Sequence, residues 1–226
     1  MKTKKRGIMK SAILLAVIGL LSIQVQAQSM TRNATGTTIG LRAGVNFQTL
    51  NGKDVSGNSL ENNINTGFHA GLNAEIPVGT GSYLQPGILY SRKGAELQSG
   101  SRDEIKLNYI EVPVNFVYKP LVGLGNMVLG FGPYVAYAIN GNVEQGGSSR
   151  NIDFDAAYNV NDPTTQFKKF DAGGNLLAGY EFANRMSVQV NAQLGLVDIN
   201  KENPTHADDQ TRWRNTGFGL SVGYRF

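Results

Sequence analysis

The sequence predicts an all-β fold, namely an eight-stranded antiparallel up-and-down transmembrane β-barrel that follows a cleaved N-terminal signal peptide. Three observations predict it. Eight segments alternate between an apolar face and a face of mainly polar residues and glycine, which is the period of a strand with one apolar face. Each segment is about 10 residues long, the length that a tilted membrane-crossing strand needs. The connections are alternately short and long, as they are in outer membrane barrels.

The first 27 residues are predicted to be the signal peptide. Basic residues crowd the first ten positions, an apolar run from Ser11 to Leu21 follows, and Val25-Gln26-Ala27 supplies small residues at the cleavage positions. The apolar run is too short for a membrane-spanning helix, which takes about 20 residues. We therefore expect cleavage after Ala27, a short N-terminal segment over residues 28–36 and a barrel domain over residues 37–226.

Without the signal peptide the chain is nearly neutral. The whole chain has a formal charge of +4, from 21 basic and 17 acidic residues. The signal peptide holds Lys2, Lys4, Lys5, Arg6 and Lys10, which leaves 16 basic residues against 17 acidic ones. Because nucleic-acid binding needs a basic face, we expect no nucleic-acid partner. Cysteine is absent, which excludes disulfides, thiol catalysis and lipid attachment to a cysteine.

The first four predicted strands each carry one apolar face. These faces begin with Ile39, Phe68, Leu84 and Ile110, and the opposite faces carry mainly glycine, amide and charged residues. The four strands cover Thr38–Phe47, Gly67–Ile76, Tyr83–Tyr90 and Tyr109–Tyr118.

The last four predicted strands follow the same pattern. The clearest is the final one, in which Phe218, Leu220 and Val222 alternate with glycine and serine. The four strands cover Val128–Ile139, Phe170–Phe182, Met186–Leu196 and Asn215–Phe226.

The connections give the barrel a direction. Short turns cover residues 77–81, 119–126 and 183–184, and long connections cover residues 48–66, 94–104, 140–169 and 198–214. Short turns of such barrels face the periplasm, and an even strand number brings both chain ends to that side. The longest connection, 140–169, is expected to be a mobile, solvated loop. Its aromatic residues Phe154, Tyr158 and Phe167 are the candidate partner-contact residues, because loops often carry function.

Alternation alone does not separate a membrane barrel from a soluble one, but three features favour the membrane. Most glycines within the strands lie opposite the apolar face, as a narrow lumen requires, and the chain closes on Tyr224-Arg225-Phe226. Aromatic residues recur near the strand ends of the apolar face, which is typical of a membrane-interface girdle. They are Phe47, Tyr90, Phe116, Tyr118, Tyr137, Phe170, Tyr180, Phe182 and Tyr224.

Several motifs resemble the small outer membrane β-barrel family common in Bacteroidota, which includes PorT-like proteins and chains labelled "porin family". The resemblance covers Thr37 to Phe226. It implies contact with outer membrane lipid, recognition of the C-terminal Phe226 by outer membrane assembly machinery, and envelope or secretion proteins as candidate partners. The motifs are Gly40-Leu41-Arg42-Ala43-Gly44-Val45-Asn46, Leu84-Gln85-Pro86-Gly87-Ile88-Leu89-Tyr90, Tyr109-Ile110-Glu111-Val112-Pro113-Val114, Gly132-Pro133-Tyr134 and Gly217-Phe218-Gly219-Leu220.

A polar network is predicted inside the barrel. A charge in a water-poor lumen is tolerable only when it is paired, so we expect these groups to pair across the lumen and lock the barrel. Eight strands leave little or no open channel, because side chains fill so small a barrel. The predicted network consists of Arg42, Glu75, Glu111, Asp171, Glu181 and Arg225.

The predicted function is a structural or interaction component of the cell envelope that acts through its loops or rim, with a PorT-like secretion accessory as one form. We expect a monomeric barrel, no enzyme, no cofactor and no metal site. The two histidines are His69 in the lumen and His206 beside Asp208 and Asp209, and no nearby serine–histidine pair is evident. A narrow channel for small solutes or ions is the main alternative. A membrane enzyme and a soluble periplasmic barrel that binds a lipophile are the others.

Overall fold

The computed structural model describes residues 36–60, 62–99, 101–204 and 209–226. The predicted signal peptide, the adjoining segment to residue 35, and His206 with Asp208 lie outside the described residues. Among the described residues no helix is long and apolar enough to cross a membrane. The strands are β1 (Thr38–Lys53), β2 (Asn62–Gly79), β3 (Ser82–Ser99), β4 (Ser101–Tyr118), β5 (Leu121–Val122), β6 (Gly125–Gln145), β7 (Ser148–Asn151), β8 (Phe170–Glu181), β9 (Met186–Gly195) and β10 (Arg212–Arg225).

Eight of these strands close into a ring. Their order is β4-β3-β2-β1-β10-β9-β8-β6, and β4 pairs with β6 to complete the circle. Every pair in the ring is antiparallel. The short strands β5 and β7 pair with the two ends of β6. The predicted eight-stranded antiparallel up-and-down barrel is therefore confirmed.

Several strands are much longer than predicted, which corrects the layout of the outer connections. The predicted long connection 94–104 is almost entirely strand, since β3 runs to Ser99 and β4 starts at Ser101. Likewise β6 continues to Gln145, into the connection predicted from residue 140. An 18-residue strand such as β4 rises about 45 Å at about 3.3 Å per residue and a tilt of about 40°. It therefore extends well beyond an apolar band about 25 Å tall.

The chemistry of the two faces exchanges along β4, although the alternation itself is unbroken. At the end next to the short turns, the outward residues are apolar, such as Val114 and Phe116, and the inward residues include the buried Glu111. At the other end the inward residues Ile105 and Leu107 are buried. Their outward neighbours there are the polar residues Glu104, Lys106 and Asn108. The outer end of the barrel thus has the apolar interior and polar surface of a water-soluble protein.

Candidate functional site

At the end of the barrel next to the short turns, here called the lower end, the outward face is a continuous apolar belt. Exposed apolar side chains cover it on every strand of the ring, and aromatic rings contact one another across neighbouring strands. Phe47 and Phe218 stack with ring centroids 5.1 Å apart, and Phe116 and Phe131 lie 5.9 Å apart. Because exposed apolar area of this extent is rare on soluble monomers, the belt is a lipid-facing surface.

A first ion cluster fills the lumen at the end of the short turns. Lys119 follows directly after β4, and its Nζ lies 2.8 Å from Glu75 Oε2 and 2.6 Å from Glu181 Oε2. Arg225 adds a contact of 2.7 Å to Glu75 Oε1 and donates a hydrogen bond to Asn73. Gln85 donates a further hydrogen bond to Glu75. Two cations and two carboxylates thus share one neutral, mostly buried cluster.

Arg42 and His69 occupy the middle of the lumen. His69 Nδ1 lies 2.7 Å from Asn46 Oδ1, and its Nε2 lies 2.9 Å from Ser221 Oγ. The Asn46 amide already donates to Ser91 and Arg92, so its oxygen is the acceptor and His69 Nδ1 is the donor. The Arg42 guanidinium adjoins two cavities of about 10 Å³ each, and such a volume holds about one water molecule.

A second ion cluster lies above Arg42. Lys93 Nζ is fully buried, 2.8 Å from Glu111 Oε2 and 3.3 Å from Asp171 Oδ2. The ammonium also lies 4.2 Å from the ring centroid of Tyr134, which adds a cation–π attraction. Amide and phenol groups also donate to these carboxylates. Gln193 donates to Glu111 Oε1, and Asn215 donates to Asp171 Oδ2, the oxygen that faces Lys93. The Tyr134 hydroxyl lies 3.4 Å from Asp171 Oδ1 and 3.3 Å from Oδ2.

An apolar plug closes the lumen above the second cluster. We define the plug as the buried side chains of Ile152, Phe167 and Ile199 together with the half-buried Phe154 and Trp213. The Phe167 and Trp213 ring centroids lie 5.4 Å apart. The plug packs against inward-facing residues of the long strands, namely Leu50, Ala95, Ile105, Leu107, Ala138 and Val143. Two outer connections therefore fold into the mouth of the barrel.

Backbone hydrogen bonds fasten these connections to each other and to the wall. Ile152 N donates to Gly141 O at 2.9 Å, and Lys168 N donates to Ile199 O at 2.7 Å. Ile199 N in turn donates to Trp213 O at 2.8 Å. The expectation of a solvated loop over residues 140–169 was wrong in part, because β6 and β7 occupy much of residues 140–151 and because Ile152 and Phe167 are buried against the long strands, whereas Val160 is exposed.

Electrostatic contacts also order the upper surface of the plug. Hydrogen bonds from the side chain and backbone of Thr164 hold the pKa of Asp162 below its usual range. Partial burial lowers the pKa of Lys201, whose Nζ donates to Ala156 O at 2.9 Å. Lys169 Nζ pairs with Asp155 at 2.6 Å. Asp155 and Asp162 therefore form local contacts within this connection, with Lys169 and Thr164 respectively.

The structure brings five of the six predicted lumen residues into the two clusters, places Arg42 between them, and adds two lysines that the sequence did not indicate. The six predicted residues carry four negative and two positive charges, so full pairing required two more cations. Lys93 and Lys119 supply them. Both positions continue the inward alternation of their strands, from Ser91 to Lys93 and from Val117 to Lys119. With them, four cations face four carboxylates.

The candidate partner-contact residues differ in their accessibility. Phe167 is buried to 1 % exposure within the plug and has no surface for a partner. Phe154 and Tyr158 are half-buried, so a role for them stays a prediction. Among the described residues no group of three or more potential metal ligands converges on one point.

Comparison with known proteins agrees with this architecture. A family model described as "Outer membrane protein beta-barrel domain" matches residues 26–201, which is most of the chain. The chain belongs to this outer membrane β-barrel family, and its apolar belt faces the lipid of the outer membrane. No curated protein matches the sequence.

Three solved structures illustrate the likeness. The chain is 13 % identical to Ail of Yersinia pestis, with 84 % of this chain and 99 % of that chain covered and a TM-score of 0.42. It is 13 % identical to the Neisserial surface protein NspA, with the same coverage and a TM-score of 0.45. It is 15 % identical to a major outer membrane protein of Thermus thermophilus, with 84 % and 100 % covered and a TM-score of 0.41.

Proposed function

We propose that this protein is a closed, non-conducting and non-enzymatic barrel that serves the envelope as a structural and interaction component. The observation that carries the proposal is the filled lumen, in which the lower cluster, Arg42, the upper cluster and the plug follow one another. Side chains that neutralise one another surround Arg42, and the two cavities beside it have volumes of about 10 Å³ each. The surfaces left for function are the rim, the outer connections and the polar outside of the long strands.

The finer assignment to PorT-like secretion accessories is part of this proposal and rests on the motifs around Arg42, Pro86 and Pro113. The long strands support a role in contact, because β3, β4 and β6 project a rigid wall beyond the lipid. A wall of paired strands presents side chains with little loss of conformational entropy on binding. Envelope or secretion proteins are the partners that such a surface would serve.

The first prediction concerns conduction. Purified, refolded protein in planar bilayers is expected to show no reproducible current steps, because the lower cluster, Arg42, the upper cluster and the plug follow one another along the lumen. Heat-modifiable gel migration of the same preparation confirms that the barrel is folded. Unitary steps that change in Arg42→Ala, inside the lumen, and persist unchanged in Lys106→Gln, on the outside, would establish an ion path instead.

The second prediction concerns partners at the outer surface. A photo-crosslinking residue at Val160, which is 60 % exposed in the long connection, is expected to capture a defined envelope protein in intact cells. The matched control is the same residue at the buried Phe167, which is expected to give crosslinks within the chain only. Equal yields of the same adduct from both positions, or none from Val160 and the neighbouring Tyr158, would contradict a contact role for this connection.

A further inference from the structure

The turn between β4 and β6 differs from the other turns at the periplasmic end. Its tip is the sequence Leu121-Val122-Gly123-Leu124-Gly125, without a polar or charged side chain. Leu121 is 77 % exposed and Leu124 is 89 % exposed. The neighbouring periplasmic turns carry Thr80 in one case, and Asn184 with Arg185 in the other. Apolar side chains this exposed need a covering surface.

The tip is a tight hairpin. Strand β5 pairs with the start of β6, with Leu121 opposite Asn126 and Val122 opposite Gly125. Gly123 has φ of 62°, and a glycine with positive φ at the first central position is the requirement of a type II′ hairpin turn. Leu124 therefore occupies the second central position of this turn.

The hairpin is fastened to the lipid-facing wall by Tyr180. The Tyr180 hydroxyl donates a hydrogen bond of 2.7 Å to Val122 O. The Tyr180 ring lies against Gly125, where an added Cβ would be only 2.8 Å from the hydroxyl oxygen. Tyr180 also packs edge-on against Phe182 with ring centroids 5.1 Å apart. The hairpin thus continues the aromatic border of the apolar belt.

We propose that the hairpin Leu121–Asn126 is an interfacial anchor that inserts Leu121, Val122 and Leu124 among the acyl chains of the periplasmic leaflet. Continuity with the belt argues for phospholipid as the occupant. Tyr180 and Phe182 are aromatic residues at the strand end, the position at which such rings lie at the headgroup level of a membrane. The apolar tip lies beside them and has no charge that would keep it in water. The anchor then fixes the depth of this side of the barrel.

Site-directed spin labelling tests the proposal in a chain that has no natural cysteine. Leu124→Cys and Leu121→Cys are labelled with a nitroxide and compared with Thr80→Cys, at the exposed tip of the β2–β3 turn. The proteins are placed in vesicles of phosphatidylethanolamine and phosphatidylglycerol, and heat-modifiable migration verifies the fold. Collisions with oxygen, which partitions into lipid, are measured against collisions with a water-soluble nickel chelate.

At positions 124 and 121 we expect oxygen accessibility to exceed nickel accessibility, and we expect the reverse at position 80. A label at 124 and 121 as accessible to nickel as the one at 80 would overturn the proposal, since the tip would then stand in water. In a Tyr180→Phe background the label at 124 is expected to gain mobility and lose its defined depth. Unchanged spectra in that background would show that the hydrogen bond from the Tyr180 hydroxyl to Val122 O does not hold the hairpin in place.

Discussion

Replacement of Lys93 by Met is expected to lower the free energy of unfolding by about 3–5 kcal/mol, because it leaves buried carboxylates without their cation. Met fills much of the same space, so the loss is electrostatic. Arg42 would then be the cation left to interact with Glu111. The measurement is the shift in the urea concentration at which the refolded protein loses its heat-modifiable compact form in lipid vesicles.

Lys106→Met is the matched control, since it removes a lysine from the neighbouring strand. Lys106 Nζ lies 2.7 Å from both Glu104 and Glu144, but on the outer surface of the wall. Exposed ion pairs contribute about 0–1 kcal/mol, so the control should unfold close to the wild-type midpoint. If the two variants lost equal stability, the lumen cluster would not have the role assigned to it.

A compensated variant separates charge from packing. In Lys93→Met/Asp171→Asn a neutral amide of similar shape replaces the Asp171 carboxylate, and Glu111 keeps Arg42 as its cation. Removing both partners of a buried ion pair often costs little, whereas removing one leaves an uncompensated charge. The double variant is therefore expected to recover most of the stability lost in Lys93→Met. No recovery would indicate that Lys93 acts through its contacts with Tyr134 and Tyr109.

Much of the barrel was predictable because the two faces of a membrane strand differ in residue type, and this difference is visible in the sequence. Lipid selects apolar residues on one face and a narrow lumen selects glycine and polar residues on the other, so period-two alternation marked all eight strands. The outer extensions of β3, β4 and β6 were not predicted because apolar residues face inward and polar residues face outward there. Glu104 and Lys106 face water while Ile105 and Leu107 face inward, and charges in this stretch suggested a loop.

The two lysines were missed because of where the predicted strands ended. Lys93 lies in the outer extension of β3 and Lys119 follows the last residue of β4, so both stood beyond the predicted strand ends. Charge neutrality was the available signal, since a buried set with two excess carboxylates requires cations. The plug gave no such signal, because Phe167 lies in the connection before β8, Trp213 lies in β10, and their contact depends on closure of the ring.

Replacement of Phe167 by Ala is expected to release the connection over residues 152–169 from the mouth of the barrel. Truncation of a buried phenylalanine costs about 3–5 kcal/mol. Here the substitution is expected to lower the free energy of local opening of this connection and not that of global unfolding. The plug is held by two connections, whereas the barrel is held by its ring of strands. The measurement is the rate of trypsin cleavage after Lys168 and Lys169, which should rise while the barrel keeps its heat-modifiable migration.

Val160→Ala is the control for this prediction, since Val160 lies in the same connection and its side chain is exposed. Its cleavage rate should stay at the wild-type level. Because the upper and lower ion clusters lie beneath the plug, Phe167→Ala is also expected to remain non-conducting in planar bilayers. Faster cleavage together with current steps would mean that the plug alone closes the lumen. Unchanged cleavage in Phe167→Ala would show that hydrogen bonds, such as Ile152 to Gly141, hold the connection without the aromatic contact.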